Sequence, residues 1–277
     1  MKPAAFTYLQ PDTVEEAIDA LQQHGDEARV LAGGQSLMAM LNLRLTTPAV
    51  LIDISRLEPL RSIHLEGGVI EIGAAVTQAE LESWPDLAEQ APLIAKAIPW
   101  VGHFQTRNRG TVCGSIAHAD PSSELPLCLA LMEGEVVLRS AQGERRVSAE
   151  AFQRGLLQTD RREDELITAV RLPAGVGQAG TAFREIARRH GDFAIVALGV
   201  IAGQEGRMQI GIGGVADRPH VEPVPASLSE AEYAEFANAL AWRLGGYDDI
   251  HASARYRRDL VRRIAPQLIT EVQECGE

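Results

Sequence analysis

Leu31-Ala32-Gly33-Gly34-Gln35-Ser36-Leu37 is the stretch on which the reading of this chain turns. Ala28 to Leu31 before it forms a short apolar run of strand length, and Leu37, Met40, Leu41 and Leu45 after it recur at helical spacing. The pattern is strand, glycine turn, helix. Adjacent glycines let the backbone take positive φ and approach a ligand closely, and the N-terminus of the following helix offers unpaired N–H groups that suit a phosphate. A Gly-Gly turn in this position is also a common plain turn, so alone it supports phosphate binding weakly.

Working outward, Thr13-x-x-Glu16 has the form of a capping box and predicts a helix to about His24, just before Gly25. Ala49 to Ile54 is a buried strand that closes the first segment. Ser62 to Leu65 and Val69 to Ile72 flank Glu66-Gly67-Gly68 and predict a hairpin. Thr77-x-x-Glu80 caps another helix, a third helical pattern covers Leu87 to Ile98, and residues 99–123 read as a long irregular stretch, the kind of loop that usually carries function. A helix at Glu124 to Met132 and strands at Glu135 to Arg139 and Leu166 to Leu172 follow. Pro173 to Gly180, with three glycines and a proline, reads as a linker. Beyond it lie strands at Ala182 to Ala187, Ala194 to Ala202 and Met208 to Ile212, then helices from Ser229 to Leu244 and from Ser253 to Val272, with Pro266 as a candidate kink.

The irregular stretch holds a second candidate loop, Arg107-Asn-Arg-Gly-Thr-Val-Cys-Gly-Ser-Ile-Ala-His-Ala-Asp-Pro121. Hydroxyls at Thr111 and Ser115 are suited to a phosphate, and Glu124 just beyond, an acceptor when ionised, is suited to a ribose hydroxyl. Two phosphate-type loops fit a long dinucleotide better than one. Gly211-Ile-Gly-Gly-Val-Ala216 formally matches a dinucleotide fingerprint, but Pro219 and Pro223 stand where its helix should start, so it reads as a tight strand end. His103, His118 and Asp120 match no standard metal-ligand spacing. Cys113 has no adjacent base and reads as packing against a ligand, and no nucleophile elbow or Ser/His/Asp set is present.

Composition sets the outer bounds. The 277 residues are 45% hydrophobic and 23% charged, an ordinary globular mixture, and the net charge of -12 disfavours a nucleic-acid partner. The three cysteines, Cys113, Cys128 and Cys275, include no Cys-x-x-Cys pair, so any metal cluster is expected on another chain. Neither a signal peptide nor an apolar run of membrane-spanning length is seen, which gives the expectation of a soluble cytoplasmic protein.

Three motifs taken together, the two loops above and Arg189-His-Gly-Asp-Phe-Ala-Ile-Val196, closely resemble the FAD-binding medium subunit of the xanthine dehydrogenase and carbon monoxide dehydrogenase family of molybdenum hydroxylases. Ser253-Ala-Arg-Tyr-Arg-Arg-Asp-Leu260 looks like that family's closing helix. The resemblance implies an α+β chain: a VAO/PCMH-type FAD-binding domain of two α/β subdomains, 1–56 and 57–173, then a C-terminal α+β domain, 181–277, with a three-stranded antiparallel sheet and helices. It implies that Ala32, Gly33, Gly34, Gln35 and Ser36, flanked by Leu31 and Leu37, wrap the FAD pyrophosphate and that Thr111, Gly114 and Ser115 complete the grip. By the same resemblance Val101 lines the adenine or ribose region, Asp120 and Glu124 join the cofactor-binding set, Ile167 packs on FAD, Arg184 falls where some members carry a lysine near the flavin, and Asp192 and Phe193 cover the isoalloxazine. Two departures stand out: Cys113-Gly114 replaces the usual Gly-Gly, and Arg184 keeps the charge of lysine but not its shape.

The implied role is electron transfer, with no catalytic acid or base on this chain. Molybdopterin is expected on a large partner subunit and 2Fe–2S clusters on a small one, assembled as a dimer of heterotrimers, with oxygen, quinone, cytochrome or NAD as the open choice of acceptor. A stand-alone FAD-binding protein without a molybdenum partner is the alternative reading. A self-sufficient covalent-flavin oxidase is a third, for which His103 is the attachment candidate.

Overall fold

The structure is a computed structural model that describes residues 2–203 and 207–275. Its first layer is a small parallel sheet of Thr7–Leu9 (β1), Ala28–Leu31 (β2) and Val50–Asp53 (β3), ordered β1-β3-β2. Parallel neighbours need a crossover, and helices Val14–His24 (α1) and Leu37–Asn42 (α2) supply it. The Thr13 hydroxyl accepts the Glu16 N–H at 3.1 Å, and Val14, Ala17, Ile18 and Leu21 form the buried stripe of α1. The central strand, β3, is buried along its whole length.

Ile63–Glu66 (β4) and Val69–Gly73 (β5) form the expected hairpin, with Gly67 and Gly68 both at positive φ in the turn. They join a five-stranded antiparallel sheet, ordered β4-β5-β10-β6-β7, completed by Glu135–Ser140 (β6), Gly143–Ser148 (β7) and Leu166–Pro173 (β10). Between its halves run the helices Gln78–Glu82 (α3), Leu87–Gln90 (α4), Pro92–Ala97 (α5), Phe104–Arg107 (α6), Val112–His118 (α7) and Glu124–Leu131 (α8). Ala149–Phe152 (α9) and the short pair Gln153–Gly155 (β8) and Gln158–Thr159 (β9) lie between β7 and β10.

Two expectations are corrected here. The helix expected over 87–98 is interrupted at Ala91, because Pro92 lacks an N–H and starts a new helix instead. The stretch 99–123 is not irregular throughout: α6 and α7 lie within it, each too short to show a helical repeat in the sequence.

The C-terminal sheet corrects a third. It has four antiparallel strands, not three: Gly180–Ile186 (β11), Val196–Ala202 (β12), Met208–Gly213 (β13) and His220–Val224 (β14). The extra strand sits at the sheet edge, where Pro223 is tolerated because one side of an edge strand needs no ladder donor. Tyr233–Leu244 (α10) and Ala254–Cys275 (α11) pack together against this sheet, and α11 runs on through Pro266. Gly214, at positive φ, ends β13 with its N–H on the Pro121 carbonyl, so the glycine-rich 211–216 segment is a tight strand end.

One apolar cluster runs through α1, both N-terminal sheets and the helices as far as α9, and a second fills the space between the C-terminal sheet, α10 and α11. Helix α8 joins them. It is apolar and buried on nearly every side, with Leu127 packed against Ala194, Ala197 and Phe183 of the C-terminal region. Among the described residues no helix is long and apolar enough to cross a membrane.

Candidate cofactor site

The first glycine turn and the second loop meet face to face. Gly33 lies so close to the second loop that a Cβ there would run into the Arg109 carbonyl and come within 2.7 Å of the Gly110 Cα. Only a glycine permits that approach. The second loop is in turn sewn to the strand end before α3: Gln78 donates its N–H to the Gly110 carbonyl at 2.8 Å, and Val112 donates to the Val76 carbonyl at 3.1 Å.

Thr111 caps α7 by accepting the Gly114 N–H on its hydroxyl at 3.0 Å. A side chain at 114 would crowd that hydroxyl at 2.6 Å, so Gly114 serves the cap itself. The N–H groups of Val112, Gly114 and Ser115 are all used within the fold, and α7 therefore presents fewer free donors than the sequence suggests. Cys113 points inward, its thiol against the Ile72 carbonyl at 3.6 Å, and burial pushes its pKa up to about 12. It is a packing residue, not a reactive thiol.

Between the two loops opens a cleft of about 580 Å³ lined by Ala32, Arg56, Arg61, Glu80, Arg109 and Thr111 among others. Three guanidinium groups against one carboxylate make it locally positive in a chain of net charge -12. Arg61 holds Glu80 at 2.7 Å, and Glu80 also closes the capping box of α3 through the Thr77 N–H and hydroxyl. Burial opposes the Glu80 charge, but the Thr77 donors and Arg61 outweigh it and hold the carboxyl below its usual range. The geometry suits an extended anion, with cations standing around the opening.

The remaining candidates fall into other groups. Val101 is buried and its carbonyl accepts from Arg107 at 3.2 Å, while Arg107 also pairs with Glu82 at 2.8 Å. Residues on either side of Val101 touch the 189–193 segment: His190 stacks edge-on to Trp100 at 5.7 Å, and Gly191 lies against His103. Asp192 is tied to Arg189 at 3.1 Å, and Phe193 is 60% exposed. Asp120 takes the Ser122 N–H at 2.8 Å, Glu124 is buried at the start of α8, and Ile167 is buried at a bulge of β10.

Arg184 is not brought to the cleft. Its guanidinium reaches Gln267 at 3.1 Å and Glu271 at 3.4 Å on α11. Among the described residues no group of three His, Cys, Asp or Glu side chains is placed to hold a metal ion. Arg56, Arg61 and Arg109 are the cleft cations that sequence reasoning passed over. Arg109 stood inside the quoted loop, whereas Arg56 and Arg61 carry no local signal and come to the cleft from the segment between β3 and β4.

Residues 4–175, which hold both loops and the cleft, match the family model described as the FAD binding domain in molybdopterin dehydrogenase. The chain belongs to this family. Among relatives of the molybdopterin dehydrogenase FAD-binding family, the 6-hydroxypseudooxynicotine dehydrogenase complex subunit alpha of Paenarthrobacter nicotinovorans is 34% identical over 98% of this chain and 95% of its own length. The carbon monoxide dehydrogenase medium chain of Hydrogenophaga pseudoflava is 37% identical over 74% of this chain and 72% of its own. In solved structures, a chain of the Hydrogenophaga pseudoflava carbon monoxide dehydrogenase superposes with a TM-score of 0.93 at 30% identity, covering 99% of both chains. A chain of quinoline 2-oxidoreductase from Pseudomonas putida 86 gives 0.92 at 32% identity, covering all of each. This family member is thus an oxidoreductase chain with FAD as its cofactor, and its mixed α and β fold is that of these relatives.

Proposed function

We propose that this chain is the FAD-carrying electron-transfer subunit of a cytoplasmic molybdenum hydroxylase complex. In this reading electrons leave a molybdopterin centre on a large partner subunit, pass through 2Fe–2S clusters on a small one, and reach an external acceptor by way of this chain, two heterotrimers pairing in the assembly. FAD, when bound, supplies the ability to take electrons singly and to give them in pairs. The protein's own part is to hold and orient it.

The observation that carries the reading is the pair of loops closed on one another around a cationic cleft. Ala32 to Ser36, with Thr111, Gly114 and Ser115, would hold the pyrophosphate, with Arg56, Arg61 and Arg109 offsetting its charge, and Glu124 would accept a ribose hydroxyl. Val101, Ile167, Asp192 and Phe193 would bound the rest of the cofactor, in a chain organised as 1–56, 57–173 and 181–277. Exposed aromatic side chains on touching segments, Phe104 at 63% and Phe193 at 60%, support a face that meets a partner subunit.

Isolation of the native complex with joint assay of flavin, iron and molybdenum tests this. FAD in stoichiometric amount together with iron and molybdenum is expected. FAD alone, with neither metal, would leave a stand-alone flavoprotein, and no FAD on the folded chain would refute both.

A further inference from the structure

Glu124 and Glu185 are two buried carboxylates that face each other with no cation between them. Glu124 opens α8 at 6% exposure, and Glu185 sits on β11 at 3%. Strand alternation puts Thr181, Phe183 and Glu185 on one face of β11, toward α8, and Arg184 on the other, against α11. Neither oxygen of Glu185 meets a hydrogen-bond donor among the described residues. Its polar neighbour is the Glu124 carboxylate, which when ionised can only accept.

Among the described residues no cation is among the groups that shift either carboxyl. The charges that act on the pair are each other's and that of Asp120, which adds a third acidic group, while Cys128 one turn along α8 is a buried neutral thiol. Strand β12 presents only apolar residues and glycine. Lys96 of α5 binds the Thr181 carbonyl and Glu271, Arg184 binds Gln267 and Glu271 of α11, and Arg189 binds Asp192. Gln209 of β13 binds Glu133, His220 and Arg243 share Glu222 of β14, and Arg257 of α11 is held by the Ile195 and Gly214 carbonyls and Asp249. Two like charges in so dry a place cannot both persist, and a single proton removes one charge and supplies the missing donor.

We propose that Glu124 and Glu185 share one proton, and that Glu185 is the positioning residue that keeps Glu124 an oriented acceptor for a ribose hydroxyl of bound FAD. This rests on the FAD reading above. Protonated Glu185 donates to Glu124, which keeps its negative charge and its remaining lone pairs for the ligand. Burial and the mutual repulsion raise the pair's second titration well above the ordinary carboxylate range, and a ribose laid against Glu124 would remove its remaining water and raise it further. A group whose pKa rises on binding favours the bound state below that titration and loses the advantage as pH increases through it.

The experiment is to strip FAD from the native complex and measure its rebinding by flavin fluorescence between about pH 6 and about pH 10, alongside infrared spectra of the same samples. Wild type should weaken by up to about tenfold per pH unit once the shared proton is lost, and should show the carbonyl stretch of a protonated carboxylic acid. E185Q, which keeps a donor toward Glu124 at every pH, should bind FAD as wild type does at neutral pH, lose the alkaline weakening and lose the acid carbonyl band. E124Q should lose the same slope but bind FAD more weakly throughout, by up to about tenfold, because an amide oxygen accepts a hydrogen bond less strongly than a carboxylate. FAD binding with parallel slopes in wild type and both variants, or a wild type without the acid band, overturns the pair and leaves the FAD reading intact. Failure of wild type to bind FAD at any pH overturns both.

Discussion

Replacing Gly33 with alanine tests the closeness of the two loops on which the site depends. The added Cβ would strike the Arg109 carbonyl and lie 2.7 Å from the Gly110 Cα. Both obstacles are backbone, and that backbone is fixed by the Gln78 and Val112 hydrogen bonds, so no side-chain rotation relieves the clash. The loops must part. Overpacking of this kind costs about 1–3 kcal/mol, and if the strain falls on the FAD-bound arrangement, affinity drops by about fivefold to about a hundredfold.

Gly67→Ala is the matched control. Gly67 has φ of 58° in the turn between β4 and β5, and a Cβ there would meet nothing within 4 Å. That substitution carries a left-handed backbone cost of about 1–2 kcal/mol and lies outside both loops. Thermal unfolding and FAD titration on the same samples separate the effects: both variants should lose some stability, and G33A should lose much more FAD affinity. A natively folded G33A with the FAD affinity of wild type would refute the idea that the contact of the two loops builds the site.

Two further outcomes follow from the same structure. Arg257 is 1% exposed, bonded through its guanidinium to the Ile195 and Gly214 carbonyls and to Asp249, and stacked on Tyr247 at 4.2 Å. R257M should lower stability in urea unfolding by about 3–5 kcal/mol because it strands a buried acceptor set, and a change below about 1 kcal/mol would show that these bonds are not what ties α11 to the sheet. A thiol-specific reagent at mildly alkaline pH should titrate Cys275 alone in the native chain and all three cysteines after unfolding, since Cys113 and Cys128 are buried and their pKa values are raised by burial. Rapid reaction of Cys113 in the folded protein would contradict its packing role.

Much of the fold lay in local pattern. Thr13, Gly25 and the stripe of Val14, Ala17, Ile18 and Leu21 specify α1 because capping and amphipathic burial act over one or two turns, and Gly67-Gly68 specifies its hairpin because few other residues accept two successive positive φ values. Local pattern failed where the deciding partner is distant. Strand β14 reads as a proline-broken loop until β13 pairs with it, and α6 and α7 are fixed less by propensity than by Arg107 on Glu82 and by the Thr111 cap against the 76–78 backbone.

The site divides in the same way. The amino-acid sequence determined that there are two glycine-containing loops, and their order gave the family resemblance that the comparisons bear out. It also determined that the chain supplies no metal-ligand spacing of its own. Only the tertiary structure decided that Gly33 opposes Arg109 and Gly110, that Arg56 and Arg61 join Arg109 at the cleft, that Arg184 turns away to α11, and that Glu185 meets Glu124. These are relations between residues from about 50 to about 90 positions apart, set by sheet order and strand face rather than by neighbours in the chain, and no local propensity encodes them.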